Sequence, residues 1–233
     1  MPKKPPPTVS DLSHVAPAVR KVVTRSPGHT ARAIHLPHLQ DAAIEAESSL
    51  ERDFVYVALA FAQLKSISHQ PFRLELDVGR YTPDFLVQFK DGSKVVVEVK
   101  PEIKLQGFAD RLAQADAKLA AHSIALIVAH DTMLRRDGIA IRAQQIRRYA
   151  KGSYPESEQE LVLNLLRSAA AGLPIKTFLA LGVQKSTILH MVSRQRLQIS
   201  SDLDIRDDAH VCLPITNNQE GSHAIRFASW LNA

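Results

Sequence analysis

The residues of this chain whose types and spacing can do chemistry are an aspartate that follows a proline, and a glutamate and a lysine two residues apart in a valine run. They are Asp84 in Tyr81-Thr82-Pro83-Asp84-Phe85, and Glu98 and Lys100 in Val96-Val97-Glu98-Val99-Lys100. Burying an unpaired charge is costly, so acids and a cation among valines call for a ligand, and a divalent metal with a phosphate meets that demand. Phosphodiester hydrolysis needs a water made nucleophilic at neutral pH and a counter-charge for the crowded phosphate. One or two Mg²⁺ ions about 4 Å apart supply both. Magnesium takes oxygen ligands: Asp84 would anchor or bridge the metal, Glu98 would give a second carboxylate, and the Val99 carbonyl would complete the shell. Lys100, one pleat beyond Glu98, would orient the water or stabilise developing charge.

Two strands must position these groups. Side chains alternate along a strand, so Asp84 shares a face with Leu86 and Gln88, and Glu98 shares one with Val96 and Lys100. The two acids lie on one face of an antiparallel hairpin if Asp84 stands opposite Glu98 and Phe89 opposite Ser93. That leaves the three-residue loop Lys90-Asp91-Gly92, which suits a type I turn closed by a left-handed glycine. A two-residue Asp91-Gly92 turn would instead pair Asp84 with Val99 and place the acids on opposite faces. The plain alternative is an amphipathic hairpin with a solvated charged face. The valines between the charges argue for a buried second strand.

The surrounding residues match a known family. Glu47-Ser48-Ser49-Leu50-Glu51-Arg52-Asp53-Phe54 starts a helical pattern, and Ser68-His69-Gln70-Pro71 precedes an expected strand from Phe72 to Val78. With Thr-Pro-Asp-Phe and Glu-Val-Lys following in order, residues from about Ile44 to about Tyr149 resemble TnsA, the endonuclease subunit of multi-component cut-and-paste transposons, within the PD-(D/E)XK nuclease superfamily. The resemblance implies that Glu51 is a catalytic and metal-binding glutamate, that Asp84 binds metal and that Lys100 is the catalytic lysine. Glu98 holds the position two before that lysine, where some TnsA proteins carry an amide; the carboxylate is closer to the wider superfamily. Gln70 is a candidate hydrogen-bond donor beside the metal site. Mg²⁺ is the implied cofactor, with Mn²⁺ able to substitute. The implied partners are DNA at transposon ends, an RNase H-type transposase subunit that cuts the other strand, and an AAA+ ATPase regulator.

Glu51 also admits a structural reading. Ser48-x-x-Glu51 is a capping box, in which the serine caps the helix start and the glutamate bonds back to the backbone. The stripe Leu50, Phe54, Val57, Phe61, Leu64 sets a buried helix face, with Glu51 about 100° away at its edge.

Composition is consistent with a nucleic-acid partner. Formal net charge is +5 and the isoelectric point about 9.4, which favours a polyanion without proving one. The single Cys212 rules out an intrachain disulfide, and no apolar run approaches a membrane span, so a cytoplasmic protein is expected. The ten histidines show no zinc spacing and there is no glycine-rich phosphate loop. The opening Met1-Pro2-Lys3-Lys4-Pro5-Pro6-Pro7 reads as a disordered basic tail, and residues 1–33 as a basic, proline-rich tail and N-terminal extension.

The expected fold is α/β (α+β), with residues 34–151 forming a restriction-endonuclease-like core whose mixed sheet is flanked by helices. Helical spacing runs from Phe108 to Ala121, a buried strand covers Ile124 to Val128, and an arginine-rich helix covers Ile139 to Tyr149, where Arg142, Arg147 and Arg148 either grip phosphate or form a solvated face. A boundary is expected at Lys151-Gly152-Ser153-Tyr154-Pro155. Residues 152–233 then read as a small winged-helix-like domain: helices over Glu156–Ala171, Ile175–Leu181 and Lys185–Arg196, with strand pieces near Leu197–Ile199 and Val211–Leu213. By the resemblance, this domain meets the ATPase. Three functions compete: a Mg²⁺-dependent endonuclease cutting the 5′ side of transposon ends, a stand-alone restriction or repair nuclease, and an idle DNA-binding adaptor on a nuclease fold.

Overall fold

The computed structural model describes residues 32–215 and 221–233, so residues 1–31 of the expected basic extension lie outside the described residues. In chain order the elements begin with β1 (Arg32–Ile34), β2 (Ile44–Ala46), α1 (Ser49–Ala58), β3 (Leu64–His69), β4 (Leu74–Leu76), β5 (Gly79–Tyr81), β6 (Phe85–Phe89) and β7 (Lys94–Val99). A 3-10 turn (Glu102–Phe108) leads into α2 (Ala109–Ala120), β8 (Ala125–Ala129) and α3 (Asp131–Arg135). After a second 3-10 turn come α4 (Ile139–Arg148), α5 (Glu156–Arg167), β9 (Leu173–Pro174), α6 (Ile175–Ala180), α7 (Lys185–Ser193), β10 (Gln198–Ile199), β11 (His210–Cys212) and α8 (His223–Asn232). No described helix is long and apolar enough to cross a membrane.

The described chain forms two compact units. The first holds the residues up to Phe54 together with Lys65–Met133; the second holds Val55–Leu64 with Leu134–Ala233. The expected break at Lys151–Pro155 falls later than this division, because α4 packs with α7 inside the second unit.

In the first unit a mixed sheet runs β3-β6-β7-β8, with β6 and β7 antiparallel and β7 and β8 parallel. The β6/β7 register is the one that the loop chemistry requires: Phe85 faces Val97, Leu86 faces Val96 and Gln88 faces Lys94. Phe89 N–H donates to the Ser93 carbonyl at 3.0 Å, and Gly92, at φ +85°, closes the three-residue loop. Period-two alternation then builds both faces. Phe85 meets Phe54 of α1 with ring centroids 5.2 Å apart on one side. On the other, Leu86 and Val96 join Ala115 and Leu119 of α2 in a buried cluster with Phe72, Leu74 and Tyr81. Each large apolar side chain buried this way contributes about 1.5–3 kcal/mol. Asp84 and Glu98 continue the α2-side face beyond the point where its apolar cover ends.

Two sequence expectations are corrected here. The helical stripe through Phe61 and Leu64 ends at Ala58: Ala60 and Phe61 donate to carbonyls three residues back, tightening the last turn, and Leu64 begins β3. The strand expected from Phe72 to Val78 shortens to β4 and reverses at Asp77-Val78 into β5, with Leu76 opposite Gly79. The strand of the Gln-Pro motif precedes Gln70 instead, as β3.

In the second unit α7 packs with α4, α5 and α6, and β9, β10 and β11 form a small sheet in the order β10-β11-β9. Phe61 meets Phe227 and Trp230 of α8, a helix absent from the sequence reading, at centroid distances of 5.3 and 5.6 Å. Thr187, Ile188, Leu189, Met191 and Val192 of α7 are buried, and Lys185, Ser186 and His190 are half-exposed.

Candidate active site

A local hydrogen-bond scaffold fixes Asp84 from both ends. Its backbone carbonyl accepts the Gln70 N–H at 2.8 Å, and its carboxylate Oδ2 accepts the Val99 N–H at 2.8 Å across the hairpin. Gln70 reaches this position at φ +42°, a left-handed conformation that costs a non-glycine residue about 1 kcal/mol or more, while its side chain donates to Glu47 Oε1 at 3.0 Å. The Gln-Pro motif therefore acts on Asp84 through the backbone and on Glu47 through the amide.

Glu98 is only 3 % exposed. Its Oε2 accepts the Tyr81 hydroxyl at 2.8 Å and its Oε1 lies 2.7 Å from Lys100 Nζ. Burial, and then the Glu98 charge, hold the Tyr81 phenol above its ordinary range, so it remains a donor. Lys100 Nζ also lies 3.0 Å from Asp84 Oδ2 and 3.4 Å from the Val99 carbonyl oxygen. Burial opposes the ammonium charge, but the Asp84 and Glu98 carboxylates outweigh it and raise the Lys100 pKa. Two acids against one base leave a negative excess. Burial first, and then Glu98, lift Asp84 from 3.8 to about 7, against Lys100 and the Val99 N–H.

Of the four residues assigned to a metal in the sequence analysis, Asp84, Glu98 and Val99, but not Glu51, thus bring oxygens to a single cationic atom. All are hard oxygen donors, the set that Mg²⁺ prefers, so the residues fit a divalent ion. Among the described residues no group of three or more His, Cys, Asp or Glu side chains is arranged to hold a metal. The carbonyl is needed to make up the set.

Glu51 stands apart. It completes a capping arrangement: its N–H donates to Ser48 Oγ at 3.1 Å, Ser48 Oγ donates back to Oε1 at 3.0 Å, and Oε2 accepts the Glu47 N–H at 2.7 Å. Burial raises its pKa against those bonds, and it also feels the Lys100 charge. The cleft around Asp84, about 330 Å³ in volume, is lined by Glu47 and Gln70 but not by Glu51.

The remaining lining residues include Arg73, Arg80, Tyr81, Phe108 and Arg111, to which the sequence reading gave no role. Tyr81 adjoins the Thr-Pro-Asp motif, and Phe108 and Arg111 stand three apart at the start of α2, the spacing that brings helical side chains together. Of the arginines that were singled out, Arg142 donates to the Asp202 carbonyl at 2.9 and 2.6 Å and to the Asp137 carbonyl, and Arg147 lies over the Tyr56 ring at 4.9 Å. Both are engaged inside the second unit; Arg148 is exposed.

Residues 60–127 match the family model described as TnsA-like endonuclease N terminal, which runs from β3 into β8 and hence covers Asp84, Glu98 and Lys100. This segment is TnsA-like, of the PD-(D/E)XK superfamily. No curated protein matches the chain.

Proposed function

We propose that the chain is the Mg²⁺-dependent DNA endonuclease subunit of a multi-component cut-and-paste transposase, cutting one strand at the 5′ side of transposon ends. The observation that carries this reading is the convergence of Asp84 Oδ2, Glu98 Oε1 and the Val99 carbonyl on Lys100 Nζ within the TnsA-like segment. Mg²⁺, or Mn²⁺ in its place, would supply a water acidified to near neutrality and a counter-charge for the phosphate. Asp84, Glu98 and the Val99 carbonyl would hold it. Tyr81 orients Glu98 through its hydroxyl, and Gln70 fixes the Asp84 backbone. Lys100 remains cationic and lies beside all three oxygens, where it can orient the attacking water or meet charge developing on the phosphate. Glu51 would act from the cap of α1 as a further acid of the site.

The same reading gives the chain DNA and an RNase H-type transposase as partners, and an AAA+ ATPase bound by residues 152–233 as a winged-helix-like module. Nicking of end-containing DNA in Mg²⁺ or Mn²⁺ by the full chain with its candidate partners tests the proposal. It predicts loss of nicking in EDTA, binding without turnover in Ca²⁺, and no product with Asp84→Ala or Lys100→Ala. Undiminished nicking in EDTA, or by either variant, would exclude it.

A further inference from the structure

The cleft carries more positive charge than its acids use. Lys100 is held by Asp84 and Glu98, and Arg80 pairs with Glu75 at 3.3 Å. Arg73 and Arg111 also line the cleft, yet among the described residues neither lies within ion-pair distance of a carboxylate. Both are half-buried, so their positions are set by packing as well as by water. Arg73 follows Phe72, which is fully buried and anchors the chain beside the Gln70 turn. Arg111 lies over the Phe108 ring at 5.9 Å, and Lys100 Nζ approaches the same ring at 5.8 Å. Cation–π contact fixes the arginine without consuming its forked donors.

Two guanidinium groups held at a cleft and left without carboxylates match the geometry of phosphate oxygens, which accept such forks through paired hydrogen bonds. We infer that Arg73 and Arg111 grip the DNA backbone phosphates that flank the scissile one, and so set where the strand lies against Lys100. This rests on the nuclease reading and adds to it the residues that position the substrate. Phe108 acts through Arg111 as a positioning residue.

The test is binding of the full chain to a fluorescein-labelled end duplex, followed by anisotropy in Ca²⁺ across a salt series. Arg73→Gln and Arg111→Gln remove the guanidinium charge and leave a shorter, neutral polar side chain; melting curves report whether each folds. Each variant should lower the slope of log affinity against log salt by about 0.9, the value for one lost phosphate contact, and the double variant by about twice that. Binding of Mn²⁺ without DNA, read by electron paramagnetic resonance, should be unchanged. Unchanged salt slopes in folded variants would overturn the clamp, as would wild-type protein with no affinity for the duplex at low salt. Cleavage by Asp84→Asn would instead overturn the nuclease reading, whatever the arginine variants do, so the two failures are distinguishable.

Discussion

Asp84→Asn should stabilise the protein at alkaline pH while abolishing cleavage. Asp84 is raised from 3.8 to about 7 by burial and by Glu98, which means that ionising it in the folded state is unfavourable. Between pH 3.8 and 7 the unfolded chain releases this proton while the folded chain keeps it, so this group's contribution to stability falls as pH rises and is fully lost above about 7. At roughly 1.4 kcal/mol per pH unit, the gap sets a ceiling of about 4 kcal/mol on what neutralising the side chain can restore. Asparagine can still accept the Val99 N–H, and the lost attraction to Lys100 is already weighed in the raised pKa, but a buried amide N–H₂ left without an acceptor takes back about 1–3 kcal/mol. The expected net gain is about 1–3 kcal/mol, a melting temperature higher by about 2–12 °C for a chain of this size at pH 8. Circular dichroism melts in EDTA at pH 8 and pH 4 measure it. The advantage should largely vanish at pH 4, where the folded carboxyl keeps its proton and the unfolded one is still about half protonated. A variant that melts below wild type at pH 8, or keeps the same advantage at pH 4, would refute the electrostatic account of the site.

Lys100→Met should behave oppositely. It leaves Asp84 and Glu98 facing each other without a cation, so it should lose cleavage and destabilise the fold at alkaline pH by as much as about 3–5 kcal/mol, with the deficit shrinking as pH falls and Asp84, whose pKa rises further once Lys100 is gone, takes up a proton; an equal deficit at alkaline and acid pH would argue for lost packing instead. Tyr81→Phe removes the donor to a buried Glu98 oxygen and should cost about 1–3 kcal/mol in melting experiments, with cleavage slowed but retained. Glu51→Gln keeps an oxygen for the Glu47 N–H, so its melting temperature should stay within about 2 °C of wild type while nicking is lost; full nicking would leave Glu51 only its capping role.

What the sequence disclosed was local. The β6/β7 hairpin could be registered from alternation and from one glycine, because a three-residue loop admits one pairing that puts Asp84 and Glu98 on the same face. The capping bonds of Glu51 were legible for the same reason: all partners lie within four residues. Periodicity misled where a helix and a turn share an apolar stripe, since Phe61 and Leu64 are buried beyond the end of α1 as thoroughly as they would be within it. It misled again at Phe72–Val78, where the reversal at Asp77-Val78 uses no strong turn pair and the Asp77 N–H is held by Gln114, 37 residues away. The contacts of Tyr81, Arg73 and Arg111 with the cleft could not be read at all, because they depend on how α2 and the β4/β5 hairpin pack over the sheet.

The non-local contacts explain how so charged a site stays ordered. Asp84 is held through its carbonyl by Gln70 and through its carboxylate by Val99, so neither its strand nor its side chain can adjust alone. Glu98 has one oxygen on Tyr81 and the other on Lys100. The left-handed backbone at Gln70 is a local cost that these bonds offset, which places strain where a carboxylate must be aimed rather than where the fold needs it. Phe108 then connects the two tasks that cleavage demands. Its ring lies against Lys100, which serves the reacting phosphate under the proposed function, and against Arg111, which serves the neighbouring one under the clamp. A change at that ring should therefore disturb substrate position and chemistry together, whereas changes at Arg111 or Lys100 should each disturb chiefly one.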